Sequence, residues 1–269
     1  HEWLFQQALK NEGLLNLRYK FVSVSLNGKN LGIYALEEHF DKRLIENNRL
    51  REGIIVKPDF SNNDEGTLFV YQEKKILSDS TLKFDYDHLC NLITLFKNGE
   101  ITASVLFDIE KTAKYFSLST LFSGQHGHLP GNFVCYFNPL TNLLEPIGYD
   151  GNVSRKLERY GGMITSKRNV YHEDIFNGSE LLKLLFNSNE FIVAYVINLN
   201  RMIKDNYLNN LLSIVDNELN NNLSILYKEY PYFDFFDRDY LGHNTNYVRK
   251  QLNSKSLINV SLLNYNGKD

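Results

Sequence analysis

The segment from His126 to Asp150 carries polar side chains in an order that suits phosphoryl transfer. A loop rich in His, Gly and Pro precedes Asn132, a β-hairpin pattern follows, and Asp150 stands directly after that pattern. Kinases hold a base and a metal-binding Asn on one loop, and a second metal-binding Asp just beyond a hairpin. We therefore predict that Asn132 and Asp150 bind a divalent metal. An Asp-Gly pair also ends many strands for turn reasons, so spacing alone leaves a structural interpretation open.

A cation for the phosphates is expected upstream, on a short apolar strand. Lys57 ends the run Gly-Ile-Ile-Val-Lys, and a strand lysine contacts the α- and β-phosphates in kinases. Glu38 or Glu73 could fix its position as the acidic partner. On an edge strand, a lysine can equally be a solvated residue that discourages aggregation. Glu37 and Glu38 could also simply cap the helix that follows them.

The loop has no carboxylate at the place where a kinase carries its base. Gly127 stands about five residues before Asn132, and it is flanked by His126 and His128. A neutral histidine can accept a proton at physiological pH, because its ordinary pKa is about 6.5. We therefore predict His126 as the base. The alternative is a domain that binds nucleotide without transferring phosphate.

The two loop histidines also allow a different kind of metal site. His126 and His128 could bind zinc or another transition metal together with His172, Glu173 or Asp174. Such a site would make the chain a metal-dependent hydrolase. The two cysteines of the chain have no partners at zinc-cluster spacings, so they add no ligands to it.

The composition is that of a globular protein, and it limits the classes of binding partner to be expected. The 269 residues include 43% hydrophobic and 23% charged residues, and the net charge is -3, which argues against disorder and against a general electrostatic grip on nucleic acid. No apolar run reaches the roughly 18 residues of a membrane span. Basic residues concentrate after Asp150, where an acidic or phosphorylated partner could dock. They are Arg155, Lys156, Arg159, Lys167 and Arg168.

Strand patterns come first and helix patterns later, which predicts an α+β fold. Residues 19–40 predict a hairpin with an Asn27-Gly28 turn, residues 53–57 a third strand of the same antiparallel sheet, and residues 68–71 a possible fourth. The helices expected next have an Asp at the start and Gly past the end, and a second hairpin and a helical half follow. These further elements are helices at residues 85–97 and 108–122, strands at 133–137 and 143–149, and helical spacing from 179 to 227, with the Asn-rich residues 217–222 as a loop.

Several runs of the sequence resemble the spore-coat CotH kinase family. The likeness covers residues 19–150, with a weaker echo at residues 246–252. The runs that carry it are NGKNLGIY at 27–34, EEHFDK at 37–42, REG at 51–53, FNP at 137–139 and LEPIGYDG at 144–151.

The resemblance implies an atypical protein-kinase-like, two-lobed fold in a single domain, residues 1–269. Residues 1–80 would form an N-terminal antiparallel sheet lobe, and residues 81–269 a larger helical lobe with the loop and hairpin at the cleft. It further implies binding of ATP with Mg or Mn, phosphorylation of a protein substrate, and an extracellular or cell-envelope location. Because the sequence begins inside an apparent helix without Met, we expect an excerpt of a longer chain with flanking domains. A catalytically inactive, pseudokinase-like binding module of a surface protein is the main alternative.

Overall fold

The computed structural model describes residues 1–58, 68–128, 131–151, 156–157, 180–235 and 237–253. Within these residues the chain is an α+β structure with two small antiparallel sheets, which confirms the predicted fold class. The strands are β1 Tyr19–Leu26, β2 Lys29–Glu37, β3 Ile54–Lys57, β4 Phe69–Val70, β5 Val134–Asn138 and β6 Leu143–Ile147. The helices are α1 Glu2–Asn11, α2 Lys42–Asn47, α3 Glu73–Ser78, α4 Ser80–Lys97, α5 Ala103–Leu106, α6 Ile109–Leu121, α7 Glu180–Phe186, α8 Asn189–Met202, α9 Asp205–Leu226 and α10 Asp237–Leu252.

The first hairpin forms as predicted. Strands β1 and β2 pair antiparallel around Asn27 and Gly28, whose φ angles are 52° and 78°. Two-residue hairpin turns of this kind need positive φ at both positions, and Asn-Gly is the pair that tolerates it best. The hairpin forms a two-stranded sheet of its own.

The prediction that β3 joins this hairpin in one sheet is wrong. Strand β3 lies inside a four-stranded sheet with the order β4-β3-β5-β6. Ile54, Ile55 and Val56 are all buried, so both faces of β3 are covered and the strand suits an interior position. The sheet therefore combines strands from both sides of residue 80, and the expected lobe boundary does not separate sheet from helices. The extent of the domain, residues 1–269, stays a prediction.

The register of this sheet brings three chain segments to one end. Val56 pairs with Cys135, and Val134 pairs with Ile147. Because β3–β5 and β5–β6 are antiparallel, the end of β3, the start of β5 and the end of β6 lie next to one another. Lys57, which ends β3, thus shares this end with the residues before β5 and after β6.

Helix boundaries follow from caps, with one error in the prediction. Asp108 accepts from the backbone N–H of Lys111 and begins α6, as expected. Helix α4 begins at Ser80 rather than near Asp85, because Asp79 accepts from the N–H groups of Thr81 and Leu82. Its predicted end is confirmed by the turn at Asn98 and Gly99.

The Asn-rich residues 217–222 lie within α9, so the predicted loop there is wrong. Leu211, Leu212 and Val215 are buried, and Leu219 packs against the same core. This apolar spacing continues through the asparagines and holds them in the helix, whatever their local preference for turns.

Helix α6 lies at the centre of the helical part of the core. Its residues from Tyr115 to Leu121 are buried, and α1, α8 and α10 pack on it. Phe5 of α1 lies 5.3 Å from Phe122, ring centre to ring centre. None of the described helices is both long and apolar enough to cross a membrane.

Candidate active site

Three of the predicted site residues meet at one end of the four-stranded sheet. The Nδ1 atom of His126 lies 2.7 Å from Oδ2 of Asp150. Asn132 donates from Nδ2 to the backbone oxygen of His126 at 3.2 Å, and the same nitrogen lies 3.3 Å from His126 Nδ1. The ring of His126 and the carboxylate of Asp150 are 45% and 40% exposed, so both can meet a ligand from solvent.

The chain reaches this geometry through a helix end and a tight turn. After α6, Ser123 adopts a φ of 53°, and the N–H groups of Ser123 and Gly124 donate to Thr120 and Ser119. These two hydrogen bonds end the helix, and the chain continues into a 3₁₀ turn, Gln125–His128. The turn presents the His126 ring toward the chain that leaves β6.

Asp150 itself has a backbone conformation that most residues avoid. Its φ is 50°, in the left-handed region. Such outliers persist only where surrounding packing over-determines them, and they concentrate at functional sites. The unusual backbone is consistent with a selected orientation of the Asp150 carboxylate.

The loop backbone packs directly on the backbone around Asp150, and only glycine fits between them. A Cβ atom at Gly127 would lie 2.7 Å from the backbone oxygen of Tyr149, and one at Gly124 would collide with the backbone oxygen of Gly151. The position where a kinase loop would carry Asp is therefore filled by neighbouring main chain. A base of this site has to come from another residue, and His126 is the one beside Asp150.

Lys57 lies at the same sheet end, inside a ring of aromatic side chains. Its Nζ atom lies 6.0 Å from the ring centre of Phe69, 5.9 Å from Tyr71 and 5.8 Å from Tyr149. Each distance is within the range of a cation–π contact. Tyr149 directly precedes Asp150, so the ammonium group of Lys57 contacts the sequence neighbour of the predicted metal ligand.

Glu38 does not support Lys57, which corrects the predicted pairing. Its Oε2 accepts from the backbone N–H of Arg18 at 3.1 Å, and its Oε1 lies 2.7 Å from the Arg18 guanidinium and accepts from Asn47. Both carboxylate oxygens are thus engaged away from Lys57. Glu73, the other candidate, is exposed at the start of α3. The following helix α2 is capped by Asp41 rather than by Glu37 or Glu38.

Two carboxylates that the sequence did not assign lie within electrostatic range of Asp150. Burial, together with the charges of Glu2 and Asp150, raises the pKa of Glu37 to about 7. Burial also raises the pKa of Glu2, and its hydrogen bond with Gln6 opposes that shift. The raised pKa values favour the neutral acids, and a cation bound at this sheet end would shift both toward the ionised form. The one sequence signal for Glu2 is an acid among the buried residues of an amphipathic helix.

His128 does not share a site with His126. Its ring lies 4.3 Å from Phe116 and 5.4 Å from Tyr115, centre to centre, and neither nitrogen has a partner among the described residues. Burial lowers the pKa of His128 to about 3. Because His128 is buried in the core and His126 is exposed, the two do not form the zinc centre that the sequence suggested as an alternative. His172, Glu173 and Asp174 lie outside the described residues.

The donors at the sheet end fit a hard divalent metal with a phosphate substrate. Asp150 Oδ1 and Asn132 Oδ1 have no hydrogen-bond partner in the described parts of the chain and are oxygens of the kind that Mg²⁺ prefers. Among the described residues no three His, Cys, Asp or Glu side chains group as a metal centre. Mg²⁺ usually needs only one or two carboxylates, because substrate phosphates supply the rest. Of the basic residues after Asp150, only Lys156 lies in the described chain, so the proposed docking role of that cluster stays a prediction.

Comparison with known proteins gives one finding. A family model described as CotH kinase protein matches residues 3–248, nearly the whole chain. None of the curated proteins gives a significant match. Small antiparallel sheets combined with many helices are consistent with the two-lobed kinase-like fold of that family.

Proposed function

Because this chain belongs to the CotH kinase family, we propose that it transfers the γ-phosphoryl group of ATP to a protein hydroxyl. Family membership supports phosphotransfer as the class of reaction. The observation that carries the proposal is the 2.7 Å contact of His126 Nδ1 with Asp150 Oδ2, at the sheet end that also bears Lys57. The family is associated with the spore coat and cell envelope, so proteins of that compartment are the acceptors to test first.

His126 acts as the base in this proposal. A carboxylate only accepts hydrogen bonds, so the contact with Asp150 requires the hydrogen of the neutral imidazole to be on Nδ1. The Nε2 lone pair is then free to take the proton of the attacking hydroxyl. Asp150 fixes the tautomer and stabilises the imidazolium that forms, as a carboxylate does for histidine in other acyl- and phosphoryl-transfer sites.

The bond changes balance without any further reactant. The acceptor oxygen forms a bond with the γ-phosphorus as the bond to the β-phosphate bridging oxygen breaks, and ADP leaves. The hydroxyl proton passes to Nε2 of His126 and is later released to solvent. In this proposal Lys57 neutralises charge on the α- and β-phosphates.

The metal would be held by Asp150 and Asn132. When bound, Mg²⁺ or Mn²⁺ neutralises the charge on the phosphate oxygens and fixes their orientation. The Asp150 oxygen that does not contact His126 is available for this role, so one carboxylate can serve both the base and the metal. A bound cation would also favour the ionised forms of Glu2 and Glu37, whose pKa values are raised without it.

The test is transfer of label from γ-labelled ATP to envelope proteins, with Mg²⁺ or Mn²⁺ present. We expect labelling by the wild-type domain and a loss of roughly 100-fold or more in Asp150→Asn, because the metal ligand and the partner of His126 are both weakened. Asn tolerates the left-handed backbone of position 150, so the variant should fold. Equal labelling by the two proteins would remove Asp150 from the mechanism.

A second function, nucleotide binding without transfer, is favoured by one observation. The kinase loop position of the base is Gly127, and the adjoining backbone leaves no space there for a side chain. A domain of this kind would be stabilised by ATP with metal but would label no acceptor. The same labelling experiment, run beside a thermal-shift series with ATP, separates the two functions.

A further inference from the structure

A pocket with a volume of about 670 Å³ lies between the end of α1, the loop that follows it, the end of α2 and the start of α6. None of its lining residues belongs to the candidate active site. Four of them are basic. They are Lys10, Arg18, Arg49 and Lys111.

One acid, Glu145, lines the pocket among the residues that the structure describes, and its charge is already compensated. Glu145 is buried, and its carboxylate lies 2.8 Å from Lys111 Nζ and accepts from Asn138 at 2.7 Å. Arg18 uses one edge of its guanidinium for Glu38, yet its side chain is still 60% exposed. Lys10 and Arg49 have no ion pair or side-chain hydrogen bond among the residues that the structure describes. The pocket therefore keeps positive charge that the described residues do not neutralise.

Arg49 occupies a backbone position that glycine normally takes. It follows the end of α2 with a φ of 58°, and the N–H groups of Arg49 and Leu50 donate to Glu46 and Ile45. Helices that end in this way strongly prefer Gly at the left-handed residue, because a Cβ there is unfavourable. An arginine at this position costs stability, and Arg49 is one of the residues that line the pocket. Such a cost is typical of a residue that is kept for binding.

We propose that this pocket binds a phosphorylated serine or threonine side chain of a protein. Arginine and lysine together are the usual ligands of a phosphate monoester, and the planar guanidinium groups of Arg18 and Arg49 can each donate two parallel hydrogen bonds to it. A carboxylate has one charge fewer and fewer acceptor oxygens, so it uses fewer of these donors.

The source of such a group is the reaction itself, and this part of the inference rests on the proposed function. A kinase that binds an already phosphorylated segment keeps the acceptor protein attached and can modify several hydroxyl groups in turn. The binding step does not depend on activity, because neither ATP nor a metal enters it.

The test is a fluorescence-anisotropy titration of labelled peptides without ATP or metal. One sequence is used in three forms, with phosphoserine, Ser or Glu at the central position, and inorganic phosphate serves as a competitor. We expect the phosphopeptide to bind at least ten-fold more tightly than the other two forms. Arg49→Gly should weaken phosphopeptide binding about ten-fold or more, through the loss of charge-assisted hydrogen bonds.

Two controls keep a structural effect apart from a binding effect. Arg49→Gly should have a Tm no lower than that of the wild type, since it relieves the left-handed arginine, so lost binding cannot come from unfolding. Lys29→Gln, on the hairpin turn outside the pocket, should bind like the wild type. The proposal would be overturned if the three peptides bound with equal affinity, or if Arg49→Gly bound the phosphopeptide as tightly as the wild type. It would also be overturned if the protein bound inorganic phosphate but none of the peptides. Failure of ATP labelling would bear on the proposed function alone.

Discussion

His126 is the residue on which the proposed chemistry depends most. If its Nε2 takes the acceptor proton, His126→Gln should lower the transfer rate by roughly 10²- to 10⁴-fold, the usual contribution of a positioned base. The affinity for ATP should stay close to the wild-type value, because Gln removes the base and leaves Lys57 and Asn132 in place. Initial rates and an ATP titration measure the two effects. His88→Gln, on α4, is the matched histidine control, and equal losses in both variants would contradict the assignment.

The aromatic ring of Tyr149 is expected to fix Lys57, for which the described part of the chain provides no carboxylate partner. Tyr149→Leu should weaken ATP binding by about 0.5 to 2 kcal/mol, or roughly two- to thirty-fold, whereas Tyr149→Phe should bind nearly as the wild type does. The face of the ring makes the contact with the ammonium group, and Phe keeps that face. An ATP titration of both variants decides. If both Tyr149→Phe and Tyr149→Leu lost affinity for ATP, the effect would come from the hydroxyl group and not from the cation–π contact.

His128 should make the protein less stable as the pH falls. Its pKa is about 3 in the folded state and about 6.5 when unfolded, so between these values only the unfolded state binds the proton. The free energy of unfolding then falls by about 1.4 kcal/mol per pH unit as the pH decreases through this window.

Denaturant unfolding of the wild type and His128→Leu from pH 7.5 to 4 measures this effect. The stability of the variant relative to the wild type should increase as the pH is lowered below about 6.5. Glu37 acts in the opposite direction between about pH 4.5 and 7, because its raised pKa gives the folded state the extra proton, and the comparison at each pH removes that contribution. A difference that does not vary with pH would show that His128 is not buried in its neutral form.

At the scale of elements, the loop after α6 depends on close backbone contact. Gly127→Ala would place its Cβ within 2.7 Å of the Tyr149 backbone oxygen, so the loop must move and His126 must leave Asp150. We expect a destabilisation of about 1 to 3 kcal/mol and a loss of transfer activity. Gly242→Ala, in α10 with nothing within 4 Å of the added Cβ, should instead stabilise the protein by up to about 1 kcal/mol. Thermal unfolding of the two variants tests the difference, and similar Tm values would contradict it.

Local chemistry explains which elements were predictable from the sequence. The Asn27-Gly28 turn, the Asp108 cap and the hairpin of β5 and β6 are determined by a few residues each, and the structure agrees with each. The start of α4 was missed because Asp79 and Asp85 are equally good caps by residue type, and only the packing of the first turn selects between them. Tertiary burial held residues 217–222 in α9 against their local preference.

Long-range pairing explains what was missed at the site. His126, Asn132 and Asp150 could be grouped from sequence because one loop and one hairpin join them. Glu2 and Tyr149 come from segments far from Lys57 along the chain, and no periodicity indicates that α1 and the residues after β6 lie at this end of the sheet. The predicted pairing of Glu38 with Lys57 is wrong for a similar reason, since the pairing of the first hairpin brings Glu38 to Arg18 instead.

For the whole molecule, ATP binding at this site requires that segments far apart in the sequence meet. The four-stranded sheet joins residues 54–57 to residues 134–147. This pairing brings Lys57 and the predicted metal ligands to the same end of the sheet. The net charge of -3 gives no general attraction for a triphosphate, so affinity must come from this local arrangement and from the metal.

The measurement that tests this claim most directly is the thermal unfolding of the wild type and Asp150→Asn with ATP and Mg²⁺. At an ATP concentration 100 times the dissociation constant, binding to the folded state stabilises it by about 2.7 kcal/mol. That corresponds to a rise in Tm of roughly 5 to 10 °C for a chain of this size. We expect this rise in the wild type with ATP and Mg²⁺ together, and a much smaller one without Mg²⁺ or in Asp150→Asn. No rise in the wild type, or an equal rise in the variant, would contradict an ATP site at this end of the sheet.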